Sequence, residues 1–218
     1  MRTTHQYLDK YPIDPRSKKL IVGTIHPHAH EKFVLPFFYG NVISLWSILS
    51  DAFPEELKKP VTLEAVLEFL QKRRISMSDT ILICDRKKPT ALDEDLIPIE
   101  LNTNIVEQVR RSIINEIFFT SGFGKNGAFR LFYEKILGLK ITTQIKEDRQ
   151  VVLDKSIFGR PVKLIILYSP SGASNVGLSQ TKLYLENKDK FSKSARPVYD
   201  FKVQYYRNMF AEKKDNDC

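Results

Sequence analysis

Four short apolar runs punctuate the chain: Leu20–Thr24, Thr80–Cys84, Glu116–Thr120 and Val162–Tyr168. Each is rich in β-formers and most lack strict alternation. Continuous apolar runs of this length fit strands covered on both faces, as in a parallel sheet. Between them the spacing turns helical. Val42, Leu45, Trp46, Leu49 and Phe53 fall on one helix face, as do Leu63, Val66, Leu67 and Leu70 after Thr62, a candidate N-cap. Asn104 with Glu107 resembles a capping box ahead of Val106, Val109 and Ile113. Ala128, Leu131, Phe132 and Ile136 form another stripe, stopped by Gly138. Pro197 opens a last helix carrying Val198, Phe201 and Tyr205.

This order of strands and helices predicts an α/β protein, a three-layer α/β/α sandwich around a central four-stranded, mostly parallel sheet. Residues 142–161 are expected to add a small hairpin before the fourth strand. A single domain is expected to span residues 1–218. Its polar end, residues 212–218, is expected to be a disordered tail.

Charge narrows the class of partner. The 218 residues carry a net charge of +8, which favours a polyanion such as nucleic acid. Apolar residues make up 42%, with 14 Phe and 9 Tyr, enough for a sizeable core. No stretch approaches the roughly 20 apolar residues of a membrane span, and Met1–Lys10 lacks a secretory core. Two cysteines, Cys84 and Cys218, make neither a disulfide framework nor a four-cysteine iron–sulfur site. A cytoplasmic monomer without membrane contact is expected, with Cys84 a buried thiol.

In open parallel sheets, ligands bind beyond the carboxyl ends of the strands. That rule selects Gly23–His30, Asp85–Asp95, Thr120–Gly127 and Ser169–Gly177, all polar or glycine-containing. His26, His28 and His30 suggest a metal, since H-x-H occurs after the first strand of metal-dependent hydrolases. Such enzymes use a barrel of about 250 residues with further ligands, and the one remaining histidine is His5. No metal is expected, and His26, just before Pro27, has the strongest claim to chemistry. Asn41 fits either a polar contact to water or base, or the N-cap of the next helix. Phe37, Phe38 and Tyr39 fit either a stacking platform or core. Asp79, Arg86 and Asp93 read as an ion-pair network holding loops. Ser171 lacks the G-x-S-x-G setting of a nucleophilic serine.

The motifs G-T-I-H-P-H-A-H (Gly23–His30), F-F-Y-G-N (Phe37–Asn41), the helix with Trp46, I-S-M-S-D-T (Ile75–Thr80), C-D-R-K-K-P-T-A-L-D (Cys84–Asp93), I-F-F-T-S-G (Ile117–Gly122) and Y-S-P-S-G-A-S-N (Tyr168–Asn175) follow one another in order. This succession, over residues 18–210, resembles the uracil-DNA glycosylase superfamily, and most closely its mismatch-specific and hypoxanthine-DNA glycosylase branch. The resemblance implies a DNA repair enzyme, without cofactor, that hydrolyses the N-glycosidic bond of a deaminated or mismatched base flipped from the duplex. It assigns water or base polarisation to His26 and Asn41. Thr24, Phe38, Tyr39, Thr120 and Ser121 are to form the base pocket, with Phe38 stacking on the base. Ser169, Ser171, Gly172, Ala173, Ser174 and Asn175 are to contact DNA.

The chain departs from the family at three places. Ile25–His26 stand where relatives often carry a carboxylate or Asn. Ile43 or Ser44 stands where the nearest branch has Asn before the helix Trp. Ser169 replaces a His or Asn before Pro-Ser. The alternative is therefore a catalytically weak or inactive DNA- or nucleotide-binding protein on the same fold. Lys140, Lys146 and Lys163 show no Schiff-base setting.

Overall fold

The computed structural model describes residues 1–211, so the polar tail from residue 212 lies outside the described residues. The chain begins with β1 (Arg2–Thr4) and β2 (Lys19–Gly23), then α1 (Leu45–Ala52) and α2 (Leu63–Lys72). Three strands follow closely: β3 (Ile75–Asp79), β4 (Ile81–Arg86) and β5 (Leu96–Leu101). After α3 (Asn104–Arg110) and β6 (Glu116–Phe119), α4 (Ala128–Arg130) runs directly into a π-helical stretch, Leu131–Ile136. The last part comprises α5 (Thr143–Asp148), β7 (Gln150–Leu153), α6 (Lys155–Phe158), β8 (Val162–Ile166), α7 (Asn175–Ser179), α8 (Lys182–Leu185) and α9 (Pro197–Phe210).

The main sheet has the order β3-β2-β6-β8-β7. Its first four strands are mutually parallel, and β7 pairs antiparallel to β8. The hairpin expected within 142–161 does not form there: that stretch supplies one strand, β7, which pairs with the fourth strand β8 itself and brings the sheet to five strands. Both faces are covered, which is why the strands read as continuous apolar runs. Ile21, Met77, Phe118 and Ile165 point to one side, against Trp46, Leu49, Val66, Phe69, Tyr206 and Phe210 of α1, α2 and α9. Leu20, Val22, Ile117, Phe119, Leu164 and Ile166 point to the other, against Ile105, Val109, Phe129 and Phe132. Burying each such side chain contributes about 1.5–3 kcal/mol. The three-layer architecture follows.

The second parallel strand is Ile75–Asp79, not the Thr80–Cys84 run that its apolar content suggested. Its serines conceal it. Ser76 Oγ accepts from the Asp14 amide and meets Ser17 Oγ at 2.8 Å, and Ser78 Oγ accepts from Asn102 Nδ2. With its hydroxyls satisfied, a serine-containing strand can be fully buried. Ile81–Arg86 instead joins a separate three-stranded antiparallel sheet, β1-β4-β5. Its buried side carries Ile81, Cys84 and Leu96, which pack with Ile25 and Leu131.

Helix ends split between agreement and correction. Thr62 Oγ1 accepts from the Ala65 amide, as expected of an N-cap. The Asn104–Glu107 capping box does not form; Glu107 pairs with Arg110 and Arg111 instead. Asn41 is not the N-cap of α1, since that position is Ser44. No helix among the described residues is long and apolar enough to cross a membrane.

Candidate active site at the strand ends

β2 and β3 end in register at Gly23 and Asp79, and Thr120 follows the last residue of β6. Thr24 and Ser121 continue two of these strands into their loops. Tyr39, at φ 55° in the loop before α1, reaches this rim, with its hydroxyl 2.5 Å from Thr120 Oγ1. Thr120 gives its single proton to Val22 O at 3.2 Å, so Tyr39 is the donor between the two hydroxyls. Burial, reinforced by the nearby Asp79 charge, pushes the Tyr39 phenol far above its ordinary range. It therefore acts as a neutral donor. Only glycine fits beneath it: a Cβ on Gly23 would lie 2.4 Å from Asp79 Oδ1 and 2.8 Å from Tyr39 Oη.

Asp79 is buried and its Oδ2 accepts from His5 Nε2 at 2.8 Å. His5 Nδ1 accepts the amides of Tyr7 and Leu8, which places the ring proton on Nε2. The second carboxylate is Asp93, in the turn between β4 and β5. Thr24 Oγ1 donates to it at 2.9 Å, and the Ser121 hydroxyl also hydrogen-bonds to it. Burial first, and then Asp79, raise the Asp93 carboxyl above the usual range against these two hydrogen bonds. Ser121 Oγ further accepts from the Ala128 amide, tying the start of α4 to the same point.

The residues expected to polarise water lie differently. His26 is 5% exposed. Its Nδ1 meets Pro27 O at 2.9 Å and its Nε2 accepts the Gln6 amide at 3.1 Å, so both ring nitrogens are engaged. Burial, with smaller contributions from His5, His30 and Arg86, lowers its pKa to about 4. Asn41 is half-buried, 3.5 Å from Ser44 Oγ through its Oδ1. His28 meets Thr3 Oγ1 at 3.2 Å and His30 packs on His26. Among the described residues no three metal-ligating side chains converge.

Arg86 does hold loops together, but through oxygens of the main chain and a threonine. It donates to His26 O at 2.7 Å, Thr90 O at 3.0 Å and Thr3 Oγ1 at 3.3 Å. The expected ion-pair network does not form; Asp79 is held instead by a hydrogen bond from the neutral His5 ring.

Phe38 is 1% exposed, packed against Phe37, His5 and Tyr7. Its ring is covered here, and a base could stack on it only after a neighbour moves. A groove of about 680 Å³ beside β3, lined in part by Tyr11, Phe37, Phe38, Arg74 and Met77, lies outside the strand-end cluster.

The fourth rim element is the loop after β8. Its carbonyls turn inward onto side chains. Arg149 donates to Ile166 O and Leu167 O, and Tyr206 to Tyr168 O. Ser174 Oγ lies 2.8 Å from Ser169 O and 2.7 Å from Ser171 O. Ser171, Gly172 and Ala173 are exposed to solvent. The structure thus places Thr24, Tyr39, Thr120 and Ser121 in one cluster, and the Ser169–Asn175 loop on the same end of the sheet. His5, Asp79 and Asp93 complete the cluster. His5 carried no local motif, whereas Asp79 and Asp93 were legible as polar positions without a chemical role.

No family model and no curated protein matches the chain. Among solved structures it is similar to the solution NMR structure of "a putative Uracil DNA glycosylase" from Methanosarcina acetivorans. The two share 17% identity over 96% of this chain and 99% of that one, with a TM-score of 0.51. The fold is uracil-DNA-glycosylase-like. It carries the polar cluster at the end of the sheet where ligands of open parallel sheets bind.

Proposed function

We propose that the protein is a DNA glycosylase that hydrolyses the N-glycosidic bond of a deaminated or mismatched base, of the uracil or hypoxanthine type. The observation that carries this reading is the meeting of two carboxylates, Asp79 and Asp93, with the neutral Tyr39 hydroxyl at the strand ends of this fold. Departure of a base leaves positive charge on the sugar and negative charge on the base. Fixed carboxylates stabilise the first, and hydroxyl donors the second.

Asp93 is the better placed to orient water. It is only partly buried and is held by Thr24 and Ser121, both from the expected base pocket. A raised carboxyl pKa suits a general base near neutral pH. Asp79, committed to His5, serves as a fixed negative charge. His26, with both nitrogens engaged, holds the first loop, while Asn41 is the candidate amide contact to base or water. Phe38 stacks on the base once uncovered, and the Ser169–Asn175 loop meets the phosphates.

The test is base release from duplexes containing uracil, hypoxanthine or a G·T mismatch, with wild-type protein and the Asp93→Asn, Asn41→Ala and His26→Ala variants. Release that falls with Asp93→Asn supports the assignment. Absence of release from every duplex at high protein concentration removes it. DNA binding at low salt without release would then favour a non-catalytic binding protein, the reading that the engaged His26 and the covered Phe38 support.

A further inference from the structure

Helix α9 buries Phe201, Tyr206 and Phe210, and with them one lysine, Lys202, at 1% exposure. Its ammonium donates to Ser171 O at 3.0 Å, Ser174 Oγ at 3.1 Å and Asn175 Oδ1 at 2.6 Å. Three donors thus meet three acceptors, all drawn from one five-residue stretch of the loop after β8. None of the three is a carboxylate. The lysine is therefore not half of a buried ion pair: its charge sits, balanced only by neutral oxygens, directly beneath the loop. Removing an ammonium from water is costly, and a methionine would fill similar space without that cost.

We infer that Lys202 is a positioning residue for DNA, which fixes the Ser171–Asn175 loop in its phosphate-receiving shape and lends it positive charge from below. The inference rests on the proposed action on DNA. Its geometry is one-sided. Lys202 takes the inner oxygens, while Gly172 and Ala173, between its anchor points, stay exposed to solvent. Asn175 opens α7, so the same ammonium also clips the loop to the helix that follows. With every N–H committed, Lys202 is an anchor and not a nucleophile.

A purely structural lysine and a phosphate-positioning one differ in what Lys202→Met would change. The variant is expected to raise KM for a base-containing duplex about tenfold with a much smaller change in kcat. The slope of log affinity against log salt should fall, by less than the unit expected of a lysine that touches phosphate itself. Amide exchange of residues 171–175 should quicken, and Lys202→Arg should restore part of the affinity. Unchanged KM and salt slope in an active Lys202→Met protein would overturn the inference while leaving the glycosylase reading intact. If wild-type protein neither binds DNA nor releases base, the functional reading fails first. Loop exchange unaltered by Lys202→Met would then also remove the anchoring role. Should Lys202→Met not fold, Asn175→Ala, which deletes the 2.6 Å acceptor, is expected to raise KM and quicken amide exchange of the loop, and its failure to do so would count equally against the inference.

Discussion

The Tyr39 hydroxyl donates to Thr120 Oγ1 at 2.5 Å, joining the loop after β2 to the end of β6 across 81 residues of sequence. Because Thr120 spends its proton on Val22 O, the bond has one direction. Tyr39→Phe leaves Thr120 Oγ1 with an unfilled acceptor site in a buried place. We expect a loss of about 1–3 kcal/mol, read from urea unfolding. A variant as stable as wild type would show that water fills the gap.

Gly23→Ala is expected to be more disruptive than its size suggests. The added Cβ meets Asp79 Oδ1 at 2.4 Å and Tyr39 Oη at 2.8 Å. Overpacking of this kind costs roughly 1–3 kcal/mol. Base release should fall with it, because the methyl group displaces two members of the cluster. Thermal unfolding together with single-turnover kinetics checks both.

Asp93→Asn keeps an oxygen for Thr24 while removing the charge. Loss of a general base typically slows chemistry about 10²–10⁴-fold. The expectation is therefore a large fall in base release with DNA affinity and thermal midpoint near those of wild type. A variant that releases base at the wild-type rate would pass the role to another group.

His26 ties stability to pH. Its folded pKa is about 4 against an ordinary 6.5, so the fold favours the neutral ring. A depressed pKa means that the stabilisation is full above pH 6.5 and is lost as pH falls through 4. The size is at most about 3 kcal/mol. Urea unfolding at stepped pH should show wild-type stability declining across this window. His26→Gln, which cannot gain the proton, should decline less steeply; equal slopes would mean that other groups set the acid limit.

Much of the frame could be read from the chain, because a parallel sheet with both faces covered writes itself as apolar runs. Lys19–Gly23, Glu116–Phe119 and Val162–Ile166 were visible in this way. Ile75–Asp79 was not, since two of its five residues are serines whose hydroxyls are satisfied only by Asp14, Ser17 and Asn102 elsewhere. The neighbouring Thr80–Cys84 run is more apolar but belongs to the smaller antiparallel sheet. In the site, Thr24, Thr120 and Ser121 lie in segments that the strand-end rule selects, and Tyr39 belongs to the F-F-Y-G-N motif. The partnership of His5 with Asp79 was not legible, because 74 positions separate them and His5 belongs to no local pattern. Lys202 was hidden for a related reason: in the sequence it is one lysine among many, and only tertiary packing makes it the buried one.

The short strand β1 delivers more than a third strand to the smaller sheet. Through it, the segment from His5 to Tyr7 does two jobs at once: His5 secures the Asp79 carboxylate, and the rings of His5 and Tyr7 lie 5.6 and 5.9 Å from that of Phe38. A change in this one short segment is therefore felt in two places at once, at a carboxylate of the cluster and at the cover over an aromatic ring.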